Sequence, residues 1–352
     1  MTMTKGNHDS DICALMHARH EVVTRRTNVR TLRSVPARVV YNAFAPNQRT
    51  QSVRTYFLRI LAVCAAALFT AAASAQDDFS KVEIQTEKLA DTVYMMTGSG
   101  GNLGVSVGED AVFLIDDQFA PLTPKIQAAI AKLSSKPVKF VLNTHWHFDH
   151  VGGNENLGKA GALIIAHENV KKRMSVESFI EFFGMKTKPE PKVALPVVTF
   201  TRDVSFHLNG DELVVTHAPR AHTDGDSIVE FRKSNVVHMG DTFFNKMYPF
   251  IDTSSGGSVA GVLAAADRVL KMAGEDTKII PGHGPLGSKA DLKAYRDMLA
   301  VVSAGMRGQI KAGKTLEQVA ASKPTAKYDE VWGKGFLAPE KFVEMLYKNL
   351  KK

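Results

Sequence analysis

Four residues with metal-ligating side chains, His145, His147, Asp149 and His150, fall within six positions in the run Asn143-Thr-His-Trp-His-Phe-Asp-His-Val-Gly-Gly-Asn154. Neutral imidazole and carboxylate suit a borderline divalent ion such as zinc. On a loop that follows a strand, His145 and His147 can point the same way toward one ion, and Asp149 and His150 can turn toward a second. Gly152 and Gly153 are expected to let the backbone turn directly afterwards. One such cluster cannot close two coordination shells, so further ligands must come from downstream. His222 in Ala-His-Thr-Asp-Gly-Asp226, Asp241 in Met-Gly-Asp-Thr242 and His283 in Pro-Gly-His-Gly284 each follow a run that reads as a strand. A lone His or Asp after a strand is ordinarily a cap or turn residue, and His167, His207, His217 and His238 are read that way.

The elements that must position these residues follow from hydrophobic period. Residues 104–117 read as a hairpin whose second strand, 111–115, is apolar throughout and so is expected to be buried on both faces. Leu122, Ile126, Ala129, Ile130 and Leu133 recur at helical spacing, and 138–143 is the next strand, ending where the histidines begin. The output is a loop at the carboxyl end of a strand, where open α/β sheets place their active sites. Downstream, 162–167 reads as a strand and 170–183 as a helix carrying Phe179, Phe182 and Phe183. Residues 186–196 read as a polar, proline-rich loop, and 199–218, 227–232, 236–239 and 278–280 as more strand. Helices are expected over 259–272 and 290–307, with an amphipathic helical tail from Leu316 to Lys352. No repeat or low-complexity linker divides this α/β chain, so residues 76–352 are expected to form one domain of sheets covered by helices.

The order His-x-His-x-Asp-His, then isolated His, Asp and His, resembles the metallo-β-lactamase superfamily over Lys81 to about Leu286. The resemblance implies an αββα sandwich. It also implies two zinc ions, with iron or manganese as alternatives: one on His145, His147 and His222, the other on Asp149, His150 and His283, with Asp241 between them. Asp116, at the end of its apolar strand, matches an acidic residue that supports such ligands from behind. The implied reaction is attack of metal-activated water on a carbonyl carbon, with Asp149 orienting the nucleophile. A β-lactam or related cyclic amide is the expected substrate class. The alternatives are a lactone, ester or thioester hydrolase and, from another class, an iron-dependent oxidoreductase. Asp241 stands where some β-lactamases carry cysteine and is similar to glyoxalase II-like thioester hydrolases; the position of their drug-binding lysine is Phe244, with Lys246 nearby. Trp146, Phe243, Phe244, Lys246 and Tyr248 are candidates for a substrate pocket, as is the aromatic stretch 179–185.

The net charge of +8 suggests an acidic partner, but its distribution removes the suggestion. From Asp77 onward the chain holds 34 basic and 33 acidic residues, so nucleic acid has no electrostatic support and a small-molecule substrate is expected. Both cysteines, Cys13 and Cys64, precede that point, which excludes thiolate ligands and disulfides from the remainder. Arg54 and Arg59, the apolar core 60–72 and the small residues Ala73 and Ala75 have the layout of a signal peptide over 53–75, cleaved before Gln76. A short membrane anchor is the alternative. Cleavage implies a periplasmic or secreted protein with no stable membrane insertion. Residues 1–52 show no helical or strand period and are read as a leader from an over-extended gene start. Oligomeric state is not legible in the sequence.

Overall fold

The computed structural model describes residues 78–351. The leader at 1–52 and the signal segment at 53–75 lie outside the described residues. Among the described residues no helix is long and apolar enough to cross a membrane.

The chain opens with β1 (Gln85–Lys88), β2 (Val93–Thr97), β3 (Leu103–Val107) and β4 (Val112–Ile115), then α1 (Thr123–Ala131) and β5 (Val138–Asn143). Two short helices follow, α2 (Phe148–Val151) and α3 (Asn154–Lys159), then β6 (Leu163–His167) and α4 (Glu168–Met174). A small hairpin, β7 (Ser178–Ile180) and β8 (Met185–Thr187), precedes β9 (Val198–Phe200), β10 (Asp203–Leu208), β11 (Asp211–His217), β12 (Ser227–Phe231) and β13 (Val236–His238). The remainder is α5 (Val259–Met272), β14 (Lys278–Ile280), α6 (Lys289–Lys311), α7 (Leu316–Ala321), α8 (Asp329–Trp332) and α9 (Pro339–Lys351). One sheet has the order β1-β2-β3-β4-β5-β6-β9 and the other β10-β11-β12-β13-β14.

Side chains that alternate across each strand explain the layering. In β4, Phe113 and Ile115 face inward onto Leu213, Val215, Val229 and Phe231 of the second sheet. Val112 and Leu114 face outward onto Leu122, Ile126 and Ile130 at α1. The second sheet repeats the device: Val236 and Ile280 join the layer between the sheets, while Val237 and Ile279 pack with Val262, Val269, Leu292 and Phe342 of the outer helices. Three apolar layers therefore separate four layers of structure, the αββα sandwich. The continuous apolar run at 111–115 is buried on both faces, as its composition requires.

Two elements differ from expectation. The helix expected over 170–183 stops at Met174, because Ser175 Oγ and Ser178 Oγ hydrogen-bond back to the carbonyls of Lys171 and Arg173. The chain then turns into the β7–β8 hairpin through Gly184, at φ +61°. The three phenylalanines of this stretch thus lie on or beside a hairpin rather than along a helix face. The tail from Leu316 is helical but broken into α7, α8 and α9, with Pro324, Gly333 and Gly335 in the joints.

Phe113 is fully buried between the sheets, with its ring 5.7 Å from Phe140 and 5.1 Å from Phe206. Phe113→Ala is expected to remove ~3–5 kcal/mol of stability in urea titrations of the metal-loaded protein. A loss under ~1 kcal/mol would show that this layer collapses onto the cavity.

Candidate metal centre

The candidate ligands come from loops at the carboxyl ends of strands. β5 ends at Asn143 and releases His145 and His147; α2 then carries Asp149 and His150. His222 lies between β11 and β12, Asp241 just past β13, and His283 just past β14. β4 runs parallel to β5, and β13 runs parallel to β14. Strand ends of both sheets therefore meet at one edge of the sandwich, where His145, His147 and His222 form one group and Asp149, His150 and His283 another. Asp241 Oδ2 stands between the groups, 3.8 Å from His145 Nε2, 3.5 Å from His222 Nε2 and 3.4 Å from His283 Nε2.

What faces each imidazole from behind assigns its proton. The Phe250 carbonyl lies 2.8 Å from His222 Nδ1 and can only accept, so Nδ1 carries the hydrogen and Nε2 offers a lone pair. Asp252 Oδ2 lies 3.1 Å from His147 Nε2 and does the same, leaving the lone pair on His147 Nδ1. These two lone-pair nitrogens face each other at 2.8 Å, a repulsive contact that a cation between them relieves. Thr144 Oγ1 donates to Asp116 Oδ2 and so can only accept from His145 Nδ1 at 3.1 Å. His145 Nε2 then points into the cluster, buried and without a hydrogen-bond partner. His150 Nδ1 donates to Asp116 Oδ2 at 2.8 Å, which turns its Nε2 inward. Asp241 Oδ1 is also unpartnered: it lies 3.1 Å from His150 Nε2 but not in line for a hydrogen bond. The inward lone pairs of His145, His147 and His222, with the unpartnered Asp241 Oδ1 beside His150 and His283, fit two divalent cations.

Asp116 is held in an unusual backbone conformation, φ 60°, by three hydrogen bonds to its carboxylate: Thr144 N at 2.7 Å, Thr144 Oγ1 at 2.7 Å and His150 Nδ1. Two glycines allow the backbone to close on the ligands. A Cβ at Gly101 would come within 2.1 Å of the His150 ring, and one at Gly282 within 2.0 Å of Asp241 Oδ1. Gly152 and Gly153, expected to permit a turn, instead hold ordinary right-handed conformations. Their lack of a side chain matters because the backbone at Asp117 and Gln118 packs against them.

Electrostatics divide the centre in two. Burial drives His222 down to about 4, and it drives His145 well below its usual value, helped by the charge of His150. His283 is opposed by burial but is raised to about 9 by Asp241 and Asp149; His150 is raised well above its usual value by Asp241, Asp149 and Asp116. Asp149, raised by burial but lowered more by His150 and His283, falls to about 2. Without metal, protons on His150 and His283 supply the positive charge that the carboxylates demand.

A cavity of about 280 Å³ opens onto the cluster, with His147, Asp149, Asp241 and His283 in its floor. Its walls are Phe119, Phe148, Phe183, Phe250, Phe336, Ile180 and Gly100, with no Lys or Arg among the described residues. Most of the pocket residues expected from the sequence lie elsewhere. Trp146, Phe243, Phe244 and Tyr248 are buried in the core between the second sheet and its helices. Phe244 stacks on His283 with ring centroids 5.1 Å apart, and Tyr248 stacks on Phe342 at 4.2 Å. Lys246 is exposed and outside the lining. From the 179–185 stretch, Ile180 and Phe183 reach the wall. Sequence reasoning did not find Asp252, Phe119 or Phe336. Asp252-Thr-Ser-Ser255 carries only a local signal, an Asp capping a turn through Ser254 N and Ser255 N. Of the remaining histidines, His167 caps α4, His217 bonds the Asp224 carbonyl, His238 is buried in β13 and His207 is exposed on β10.

A family model described as "Metallo-beta-lactamase superfamily" matches residues 96–283, slightly more than half of the chain. A hydroxyacylglutathione hydrolase of Pelagibacter ubique (strain HTCC1062) is 31% identical over 109 residues, covering 31% of this chain and 37% of that protein. One from Polaromonas sp. (strain JS666 / ATCC BAA-500) is 28% identical over 165 residues, covering 46% and 55%. The chain thus spans about half or less of these relatives. Among solved structures, a metallo-beta-lactamase from Pontibacter korlensis superposes with a TM-score of 0.51 at 20% identity, over 62% of this chain and 99% of that one. A stereoselective inverting sec-alkylsulfatase from Pseudomonas sp. gives 0.56 at 18% identity, over 75% and 50%. At these identities the structural likeness concerns the fold.

Metal binding requires neutral imidazole, so ions entering the His150–His283 half must displace protons at neutral pH, whereas His222 is already neutral. Proton release on metal addition, measured calorimetrically in buffers of different ionisation enthalpy, is expected to shrink as pH rises past about 9. Release that stays constant from about pH 7 to 10 would contradict this charge assignment. Asp116→Asn, which puts an amide donor in place of one of the two oxygens that accept from Thr144 and His150, is expected to weaken metal binding ~10–100-fold in competition with a chromogenic chelator.

Proposed function

Because the chain belongs to the metallo-beta-lactamase superfamily, we propose that it is an exported, two-zinc hydrolase of small carbonyl compounds. The observation that carries this reading is the cluster of inward lone pairs on His145, His147 and His222, gathered with the inward-turned His150 Nε2 around Asp241 at the floor of a cavity. Divalent ions held by these residues supply Lewis acidity toward a carbonyl oxygen and lower the pKa of water to near neutrality. The chain's own groups prepare the site. Asp149, with a value of about 2, stays ionised at any physiological pH and is only partly buried, so it can accept a hydrogen bond from water in the cavity and orient it. Asp116 and Asp252 hold His150 and His147 in fixed orientation, so little reorganisation is left for the reaction. The aromatic walls exclude bulk water and strengthen the local electrostatics.

Within the carbonyl compounds, a thioester, ester or lactone is favoured over a β-lactam. The wall has no Lys or Arg to pair with the carboxylate of a β-lactam drug, and Phe244, at the position compared with the drug-binding lysine, is buried against His283. The partial relatives named hydroxyacylglutathione hydrolase favour the thioester member of this set. Export rests on the apolar run 60–72 and the small residues that follow it.

The zinc-loaded protein is expected to hydrolyse a simple aryl ester or an uncharged thioester faster than a chromogenic cephalosporin, with all turnover lost to a chelator and restored by zinc. Asp241→Asn is expected to lower turnover at least ~100-fold. Chelator-resistant turnover, or a protein that retains iron and hydrolyses none of these, would sink the reading. Fractionation of producing cells should place a protein starting at Gln76 outside the cytoplasm; an uncleaved chain in the cytoplasm would remove export.

A further inference from the structure

Large aromatic side chains rarely stand exposed on a protein surface, and of the four exposed phenylalanines among the described residues only Phe179 stands away from the cavity. Phe148, Phe183 and Phe336 are 41%, 46% and 57% exposed, and all three line the cavity over the ligand cluster. They arrive from segments far apart in sequence: α2, the β7–β8 hairpin, and the joint between α8 and α9. Phe183 packs 4.8 Å from Phe250, which in turn stacks on His147 at 5.9 Å. On the other side, the Phe336 ring lies 6.3 Å from His283 and 6.2 Å from Phe244. One ring therefore stands over the His147 side of the cluster and the other over the His283 side.

The charge of the cavity is equally one-sided. Among the described residues its charged groups other than histidine are Asp149 and Asp241, both in the ligand cluster, and its walls hold no Lys or Arg. A carboxylate drawn into these walls would lose its hydration without gaining a partner, whereas a phenyl or alkyl group would gain dispersion and shed water. The volume of about 280 Å³ equals roughly nine waters at ~30 Å³ each, enough for an arylalkyl group.

We propose that Phe183 and Phe336 form a two-sided aromatic collar that selects substrates whose acyl group is uncharged and apolar, and rejects acyl groups that carry a carboxylate. The proposal rests on the hydrolase reading only in placing the reacting carbonyl at the ligand cluster; the collar's preference for apolar groups is a property of the walls themselves.

The test compares two p-nitrophenyl esters with the same leaving group, one of 4-phenylbutyrate and one of glutarate, on the zinc-loaded protein. The expected kcat/KM favours the phenylbutyrate by roughly ten- to hundredfold. Phe183→Ala with Phe336→Ala should bring the ratio to within about threefold, mainly through KM, and Phe336→Lys should shift it toward glutarate. Saturation-transfer NMR reads binding without turnover, with 4-phenylbutyramide and glutaramate as probes; the amide should bind more tightly and lose that advantage in the double variant. Equal or better use of the glutarate by the wild type, or a preference that survives the double variant with its fold intact by circular dichroism, overturns the collar. Absence of all hydrolysis with the expected binding preference defeats the hydrolase reading and leaves the collar standing. Absence of a binding preference defeats the collar whatever the turnover.

Discussion

The carboxylate of Asp116 is the contact on which the candidate metal centre depends. It is fully buried at the end of β4, and its hydrogen bonds reach the backbone of Thr144, the hydroxyl of Thr144 and the ring of His150. Through the first it ties the exit of β4 to the exit of β5. Through the hydroxyl it sets the proton on His145, and through the ring it turns His150 Nε2 inward. A buried carboxylate without such donors would be costly, and here every donor belongs to the loop that carries the ligands. The left-handed backbone at Asp116 is tolerated because these bonds over-determine it.

The two halves of the centre answer to different electrostatics. His145 and His222 lie where burial and neighbouring imidazoles suppress protonation, so they present neutral nitrogen ready for a cation. His150 and His283 lie against Asp149 and Asp241, which demand positive charge and receive it as protons when no metal is present. Asp241, within reach of both halves, is held well below the usual carboxylate range by the imidazoles despite its burial. Above this concentrated charge the cavity changes character within one residue's length, from carboxylate and imidazole to phenyl rings. The floor is suited to polarising a bond and the walls to sorting what is attached to it.

Local pattern carried much of this into the sequence. The six-residue cluster and its three downstream partners were legible because ligand chemistry restricts residue type and because strand ends can be read from apolar runs. Asp116 was legible through the family resemblance, as an acid just past the end of its apolar strand. The pocket was not. Phe243 and Phe244 follow Asp241 directly, yet adjacency in sequence put them under the site, in the core, rather than in its mouth. Phe336 lies far from every ligand in sequence, inside a tail that reads as one amphipathic helix, so nothing local announces it as a wall residue. The hairpin at 178–187 was hidden by an apolar spacing that also fits a helix, and serine hydroxyls competing for the last carbonyls of α4 decided the matter.

By itself, then, the sequence determined a domain of sheets covered by helices, the kind of atoms that gather in the candidate metal centre, and the near neutrality of the chain after its first 76 residues. Each of these follows from side-chain type and short-range periodicity. Only the tertiary structure decided which nitrogen of each histidine faces inward, that Asp252 stands behind His147, and which phenylalanines wall the cavity. Those outcomes depend on contacts between residues that the chain brings together from opposite ends of the domain: Asp252 meets His147 across 105 positions, and Phe336 reaches His283 only after the chain has passed through α6, α7 and α8.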